Sequence, residues 1–380
     1  MERSEVKLKL RQFEAFNYSD YVYNILRELA YRRLLKSTNS SVIECSNYKF
    51  LFENFISVTF FILIDLLCLF GNVLVIVAVL SNHHLNVPQN YLLVSLASAD
   101  LACSIFLMPL HITTYLTHEH WIFGFQICRL FILCDITLCT ASIINLCVIS
   151  LDRYLAMKQP LLHEKRRNKK IVLLTIGIVW FLSCMTACPV FALDLHEIFR
   201  TLNESQITEC AMSTNRIFVV FSSLLSFYIP ASLICYVNFG IYRLTIVRLK
   251  IRRKNVTKLA DNACRSKRIG SLSKVDGEFD ELATNLRRKE KLAKNRERRL
   301  TATLFVIVIT FIICWSPFFI LYVLDAFLVM NLPSLVSHGV LWLGYINSAT
   351  NPLVYSAMNV DFRKAFINVL RCSLLRKIRH

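Results

Sequence analysis

Residues 134–160 read CDITLCTASIINLCVISLDRYLAMKQP and place charges at both ends of an otherwise apolar run. Asp135 stands near one end and the triplet Asp152, Arg153, Tyr154 at the other. A helix rises about 1.5 Å per residue, so the stretch from Asp135 to Arg153 covers roughly 27 Å, close to the hydrocarbon thickness of a bilayer. Charges are expensive in such a segment and mark functional positions. A carboxylate on one side and an arginine on the other suit a device that senses a cation outside and reports inside.

Composition bounds the class. The 380 residues are 55% hydrophobic with a mean hydropathy of +0.48, far more apolar than a soluble globular chain of this length. Apolar runs fall at about 54–80, 91–116, 129–151, 171–193, 217–242, 301–328 and 336–357, each long enough to cross a bilayer as a helix. The expected fold is all-α: a seven-transmembrane helix bundle over 53–372 with a short amphipathic helix after the last span. Residues 1–52 are expected to form an extracellular tail, 243–299 a basic cytoplasmic loop and 373–380 a short cytoplasmic tail.

The net charge of +18 sets the orientation. Lys158, Lys165, Arg166, Arg167, Lys169 and Lys170, the 243–299 segment and the tail hold most of the Lys and Arg, which belong in the cytoplasm by the positive-inside rule. The links at 117–128 and 329–335 have neither residue, so they face outside with the N-terminus. The basic N-terminal tail and the loop Ser81–Asn90, which lacks Lys and Arg, run against this trend, but long tails weigh less in the rule. A multi-pass plasma-membrane protein follows. The charged start MERSEVKLKLRQFEAF lacks the apolar core of a cleavable signal, so the first span is expected to direct insertion. YVYNILRELAYRRLLK in the tail suits either a membrane-surface helix or a disordered basic segment.

Asn17, Asn39 and Asn203 head glycosylation acceptor patterns on the predicted outside, and Asn255 heads a chance match inside. Most of the fourteen cysteines sit in apolar runs, where a thiol behaves as a small hydrophobe. Cys45, Cys128 and Cys210 face the oxidising side, and a Cys128–Cys210 bridge would pin the loop before the fifth span over the helix carrying Asp135. Cys372, beside basic residues beyond the last span, is a palmitoylation candidate. No pair or quartet has zinc-ligand spacing.

Seven spans with Asn72, Asp100, the Asp152–Arg153–Tyr154 triplet, Trp180, Pro230, CWSPFF (Cys314–Phe319) and NPLVY (Asn351–Tyr355) resemble the rhodopsin-like, class A G-protein-coupled receptors over roughly 54–372. Within them, Asp135, CTASI (Cys139–Ile143) and Trp342 with Tyr345 look like the biogenic amine receptors, and FVVFSSLLSFYIP (Phe218–Pro230) with the short FRKAF tail is most similar to the inhibitory dopamine subclass. The resemblance implies a protonated amine as ligand, dopamine first and octopamine, tyramine, adrenaline-like amines or serotonin second. It also implies a heterotrimeric G protein of the inhibitory class as partner.

The residues support that reading in their own chemistry. A protonated amine needs a counter-charge in a water-poor cavity, and Asp135 is the only carboxylate in the outer third of the third span. The resemblance places Tyr345 where its hydroxyl would hold that carboxylate. Ser222, Ser223 and Ser226 are three and four apart, suited to a catechol's two hydroxyls, or more blandly to helix packing. Trp315, Phe318, Phe319 and Tyr322 supply aromatic faces beside Pro317, which is expected to interrupt the sixth helix. Glu297 precedes Trp315 by the interval that separates Asp135 from Arg153, so an Arg153–Glu297 pair is expected to bias a resting state, with Asn351, Pro352 and Tyr355 completing the switch. Asp100, Ser142, Asn347, Ser348 and Asn351 form a second polar set, for which the resemblance implies a sodium ion; a protonated Asp100 or a hydrated network are the alternatives. No other cofactor is expected.

Some positions depart from the family. Asn238 stands where a tyrosine is usual, with Tyr236 two residues earlier, Tyr322 replaces a histidine typical of the inhibitory dopamine subclass, and Leu341 replaces a more polar residue. Asp65 and Cys45 receive no role. The basic run Arg287–Leu300 suits a G protein or anionic membrane lipids, and topology already accounts for its charge without nucleic acid. Ser266, Ser271 and Ser273 are phosphorylation candidates. A transporter would show internal repeats with broken helices, and an enzyme a nucleophile–base or metal constellation; neither pattern is present.

Overall fold

A computed structural model of the chain describes residues 40–160, 168–201, 210, 215–269, 276–328, 330 and 333–378. Residues 1–60 and 61–380 form two units. The described part of the first is the start of helix Ser40–Ser81, where Thr59 Oγ1 donates back to the Phe55 carbonyl at 2.7 Å. The second unit holds the bundle.

Among the described residues, six helices are long and apolar enough to cross a membrane: Phe55–Ser81, Asn90–Leu116, Gly124–Lys158, Lys169–Pro189, Arg216–Ile251 and Thr301–Leu328. A helix satisfies every backbone polar group within itself, which is why apolar runs of this length take that form in lipid. The seventh span, Ser334–Met358, has the length but is more polar, and its Asn347, Ser348 and Asn351 are buried. Its polarity faces the bundle. Apolar side chains such as Leu63, Phe70, Leu174, Phe181 and Ile313 are exposed on the other spans, as a lipid-facing surface requires.

The third span is the axis, packing on the second, fourth and fifth. Short polar links join neighbouring spans. Asn72 Nδ2 donates to the Ser348 carbonyl at 3.3 Å, tying first to seventh, and Trp180 Nε1 donates to Ser95 Oγ at 3.1 Å, tying fourth to second. Asp65 is satisfied from the second span: Ser104 Oγ donates to its carboxylate and, at 3.2 Å, to its carbonyl.

Three features differ from the sequence expectations. Pro317 sits inside a continuous helix, Asp276–Leu328, rather than interrupting it. A proline in lipid is tolerated where neighbouring helices and local adjustment re-satisfy the freed groups; Ser316 Oγ donates to the Ile312 carbonyl at 2.6 Å, next to the Ile313 carbonyl that Pro317 leaves without its helical donor. The basic 243–299 segment is largely helical, because Ile229–Ile269 and Asp276–Leu328 run into it from either side; Lys, Arg, Glu, Leu and Ala are strong helix formers. Finally, two spans contain π turns, at Cys103–Leu107 and Leu224–Tyr228. After the seventh span, helix Val360–Ile378 is amphipathic as expected: Phe362, Ala365 and Phe366 are buried while Arg363 and Lys364 are exposed.

Candidate ligand-binding site

Asp135 is 5% exposed, and the hydrogen bond given to its carboxylate is weak: the Cys139 thiol donates to Oδ1 at 3.6 Å from one turn along the same face. The carboxylate opens onto a cavity of about 520 Å³ including its mouth. From the third span, Ile136, Cys139, Thr140 and Ile143 share its wall. The fifth span contributes Ser222 and Ser226 opposite.

Phe311, Trp315, Phe318, Phe319 and Tyr322 come from the sixth span at helical spacing and supply the aromatic wall. Phe319 stacks on Phe227 with centroids 4.5 Å apart, and Phe318 stands edge-on to Phe319 at 5.2 Å. Trp315 approaches the seventh span where Gly344 leaves room; a Cβ there would lie 3.0 Å from the indole. A carboxylate faces hydroxyls across an aromatic enclosure, an arrangement that takes a cationic group at one end of an aromatic molecule and hydrogen-bonding groups at the other.

The serines do not act as one set. Ser222 Oγ donates to the Val219 carbonyl at 3.2 Å and lies within hydrogen-bonding reach of the Tyr322 hydroxyl. Thr140 Oγ1 donates to Ser226 Oγ at 3.2 Å across the fifth and third spans. Ser223 is buried, makes no hydrogen bond and does not line the cavity. The π turn that begins at Leu224 is the physical reason. Its wider turn brings residues four apart closer to one face and moves residues three apart away from it, so Ser222 stays with Ser226 and Ser223 turns aside.

Trp342 and Tyr345 also lie off this cavity. Trp342 stacks on Phe61 at 4.1 Å, and Tyr345 packs edge-on to Trp342 at 5.4 Å. The expected Tyr345–Asp135 hydrogen bond is not formed, since the buried Tyr345 hydroxyl has no partner. Ring packing against Trp342 and, at 5.5 Å, His111 sets the direction of the phenol instead.

The second polar set comes together around Asp100, which is fully buried. Ser348 Oγ donates to Oδ1 at 2.7 Å, Ser142 Oγ to the same oxygen at 3.4 Å, and Asn351 Nδ2 to Oδ2 at 2.8 Å. Asn347 is also buried, and its amide atoms are unpaired, as are those of Asn145. A carboxylate with hydroxyls, and buried amide oxygens without donors, fit an oxygen-ligated cation such as sodium. Asn145, three residues along the third span from Ser142, is one amide in an apolar run.

Toward the other end, Arg153 and Tyr355 line a second cavity with Asn90 and Thr303. Pro352 packs where Gly71 lacks a side chain, a Cβ there standing 2.8 Å from its Cγ. The side chains of Glu297 and Cys372 lie outside the described residues, as do Asn17, Asn39 and Asn203. Asn238, which stands in place of the usual tyrosine, instead bridges two spans: its Nδ2 donates to Ser150 Oγ at 3.2 Å and to the Ile234 carbonyl at 2.9 Å. The Cys128–Cys210 disulfide is formed, with Cα atoms 5.7 Å apart.

Residues 71–355 match the family described as 7 transmembrane receptor (rhodopsin family). Among curated proteins, the chain is 34% identical over 370 residues to the tyramine receptor Ser-2 of Caenorhabditis elegans, covering 79% of this chain and 80% of that protein. It is 35% identical over 329 residues to the 5-hydroxytryptamine receptor 7 of Xenopus laevis, covering 82% and 75%. To the octopamine receptor of Bombyx mori it is 29% identical over 412 residues, covering 79% and 85%.

Proposed function

This chain belongs to the rhodopsin family of seven-transmembrane receptors, and from that premise we propose that its agonist is a ring-hydroxylated arylethylamine of the tyramine or octopamine kind. It is a biogenic amine receptor and not an enzyme. The observation that carries the ligand class is the buried Asp135 sharing one cavity with Ser222 and Ser226. The ammonium pairs with Asp135, the ring rests among Trp315, Phe318 and Phe319, and a ring hydroxyl exchanges bonds with Ser222, Ser226 and Tyr322. Drawing the fifth span toward the third strains the Trp315–Gly344 contact and passes the change to the seventh.

Dopamine, the leading expectation from three serines on one face, becomes the second reading. Ser223 is turned from the cavity, Tyr322 replaces the histidine of that subclass, and relatives named for tyramine and octopamine support the phenolic amines. The N-terminus faces outside, so the amine arrives from there, and the cavity beside Arg153 and Tyr355 receives a heterotrimeric G protein of the inhibitory class. Asp100, Ser142, Asn347, Ser348 and Asn351 would hold a sodium ion, whose charge offsets the buried carboxylate.

An amine panel on intact cells with a cyclic AMP readout, with and without pertussis toxin, tests this. Tyramine or octopamine is expected to lower cyclic AMP in a toxin-sensitive way. Tenfold greater potency of dopamine or serotonin moves the ligand to that amine, silence to all amines sinks the ligand class, and a rise or a toxin-resistant fall refutes inhibitory coupling.

A further inference from the structure

Away from the amine cavity, a short turn after the second span carries an acidic group across to the seventh. His118 and Glu119 have φ of 53° and 69°, a conformation that residues with side chains seldom adopt, and here two occur in succession. The turn is held in place: the Glu119 amide donates to the Thr114 carbonyl at 2.8 Å, and Thr117 Oγ1 donates to the His120 carbonyl at 2.6 Å. Its result is a Glu119 carboxylate 3.7 Å from Nε2 of the buried His338.

Glu119 from the turn and His111 and Tyr115 from the second span face His338. Tyr115 stands edge-on at 5.1 Å. The first span supplies Phe61, 5.2 Å from the Tyr115 ring and stacked on Trp342, and the third supplies Phe131, which abuts His111 at 4.7 Å. On its own span, Trp342 and Tyr345 follow at helical spacing, so rings run in contact from His338 through Tyr115, Phe61 and Trp342 to Tyr345.

A carboxylate and an imidazole attract as an ion pair only when the imidazole is protonated. We propose that Glu119 and His338 form a proton-operated clasp between the second-span turn and the seventh span. External acid closes it and slows exchange of the amine at Asp135. The ring contacts between these two spans permit sliding, whereas the ion pair adds a fixed direction at the rim. This rests on the outward orientation and on the amine-receptor reading.

The test compares wild type, Glu119→Gln, His338→Gln and the double variant at external pH 5.5 and 7.5. Dissociation of a radiolabelled amine-type antagonist is followed on intact cells, and thermal melting on the purified receptors. Wild type is expected to release ligand about two- to fivefold more slowly at pH 5.5 relative to the double variant, as befits a partly exposed pair, and either single substitution removes that difference. In melting, the coupling between the two substitutions is present at pH 5.5 and absent at 7.5. Asp135 is common to all four proteins and cancels. Identical pH dependence in all four, or equal coupling at both pH values, overturns the clasp. If no amine-type ligand binds at either pH, the functional reading fails and the melting cycle still decides the clasp. Coupling lost in a His111→Gln background would put the proton on His111 and overturn the assignment to His338.

Discussion

Gly344→Ala is expected to weaken amine binding by about five- to tenfold. A Cβ at 344 would stand 3.0 Å from Cη2 and Cζ3 and 3.1 Å from Cζ2 of Trp315, tighter than ordinary contact by a few tenths of an ångström. The indole has little freedom to give way, being 6% exposed with Phe318 and Phe319 each 6.0 Å from its centroid. Overpacking of this kind costs about 1–3 kcal/mol. The small displacement places this case near the lower end; with the indole pushed toward the cavity the cost falls on the ligand-bound state, where about 1–1.4 kcal/mol corresponds to about five- to tenfold in affinity. Gly339→Ala is the internal control, since its added methyl meets nothing within 4 Å on the same span. Competition binding and thermal melting of both variants against wild type measure the effect. If Gly344→Ala binds and melts like Gly339→Ala, the close approach of Trp315 to the seventh span does not set the shape of the site.

Asp135→Asn keeps the shape and the Cys139 contact but removes the charge, and losing one partner of a desolvated pair costs about 3–5 kcal/mol; amine binding should fall by several hundred-fold or more at normal surface expression, and wild-type affinity would refute the anchor. Ser222→Ala and Ser226→Ala should each weaken tyramine by about 0.5–1.5 kcal/mol while leaving its ring-deoxygenated analogue phenethylamine unchanged, whereas Ser223→Ala should affect both equally. Equal losses at all three serines in potency assays would show that they serve packing.

The bundle was legible because lipid leaves the backbone few choices, and an apolar run of twenty residues becomes a helix almost regardless of detail. Asp135 and Asp100 were legible for the same reason, since a carboxylate inside such a run needs a purpose. What could not be read was rotation. Ser223 shares a face with Ser226 in a regular helix, and nothing in FSSLLSFY announces the π turn that separates them. Tyr345 was read as a partner of Asp135, but its hydroxyl direction depends on Trp342 and His111, which are distant from Asp135 in sequence. Thr140 and Phe311 were within reach: one lies inside the CTASI segment and the other one turn before Trp315. Asn238 registered only as a missing tyrosine, because its Ser150 partner becomes a neighbour only once the third and fifth spans pack.

The two π turns make each of their spans, mechanically, a pair of rods clocked independently. One extra residue accommodated in the turn shifts everything beyond it by about 100° of helical rotation relative to an uninterrupted helix. In the fifth span the change falls between Ser222 and Pro230, so the part that meets the amine and the part that carries Asn238 toward Ser150 are oriented by separate choices. In the second span it falls between Asp100 and His111, and divides the polar set around Asp100 from the rim in the same manner. Substitutions can therefore retune what one end recognises without re-aiming the other, whereas a single-residue deletion within Leu224–Tyr228 would rotate the two ends against each other at a stroke.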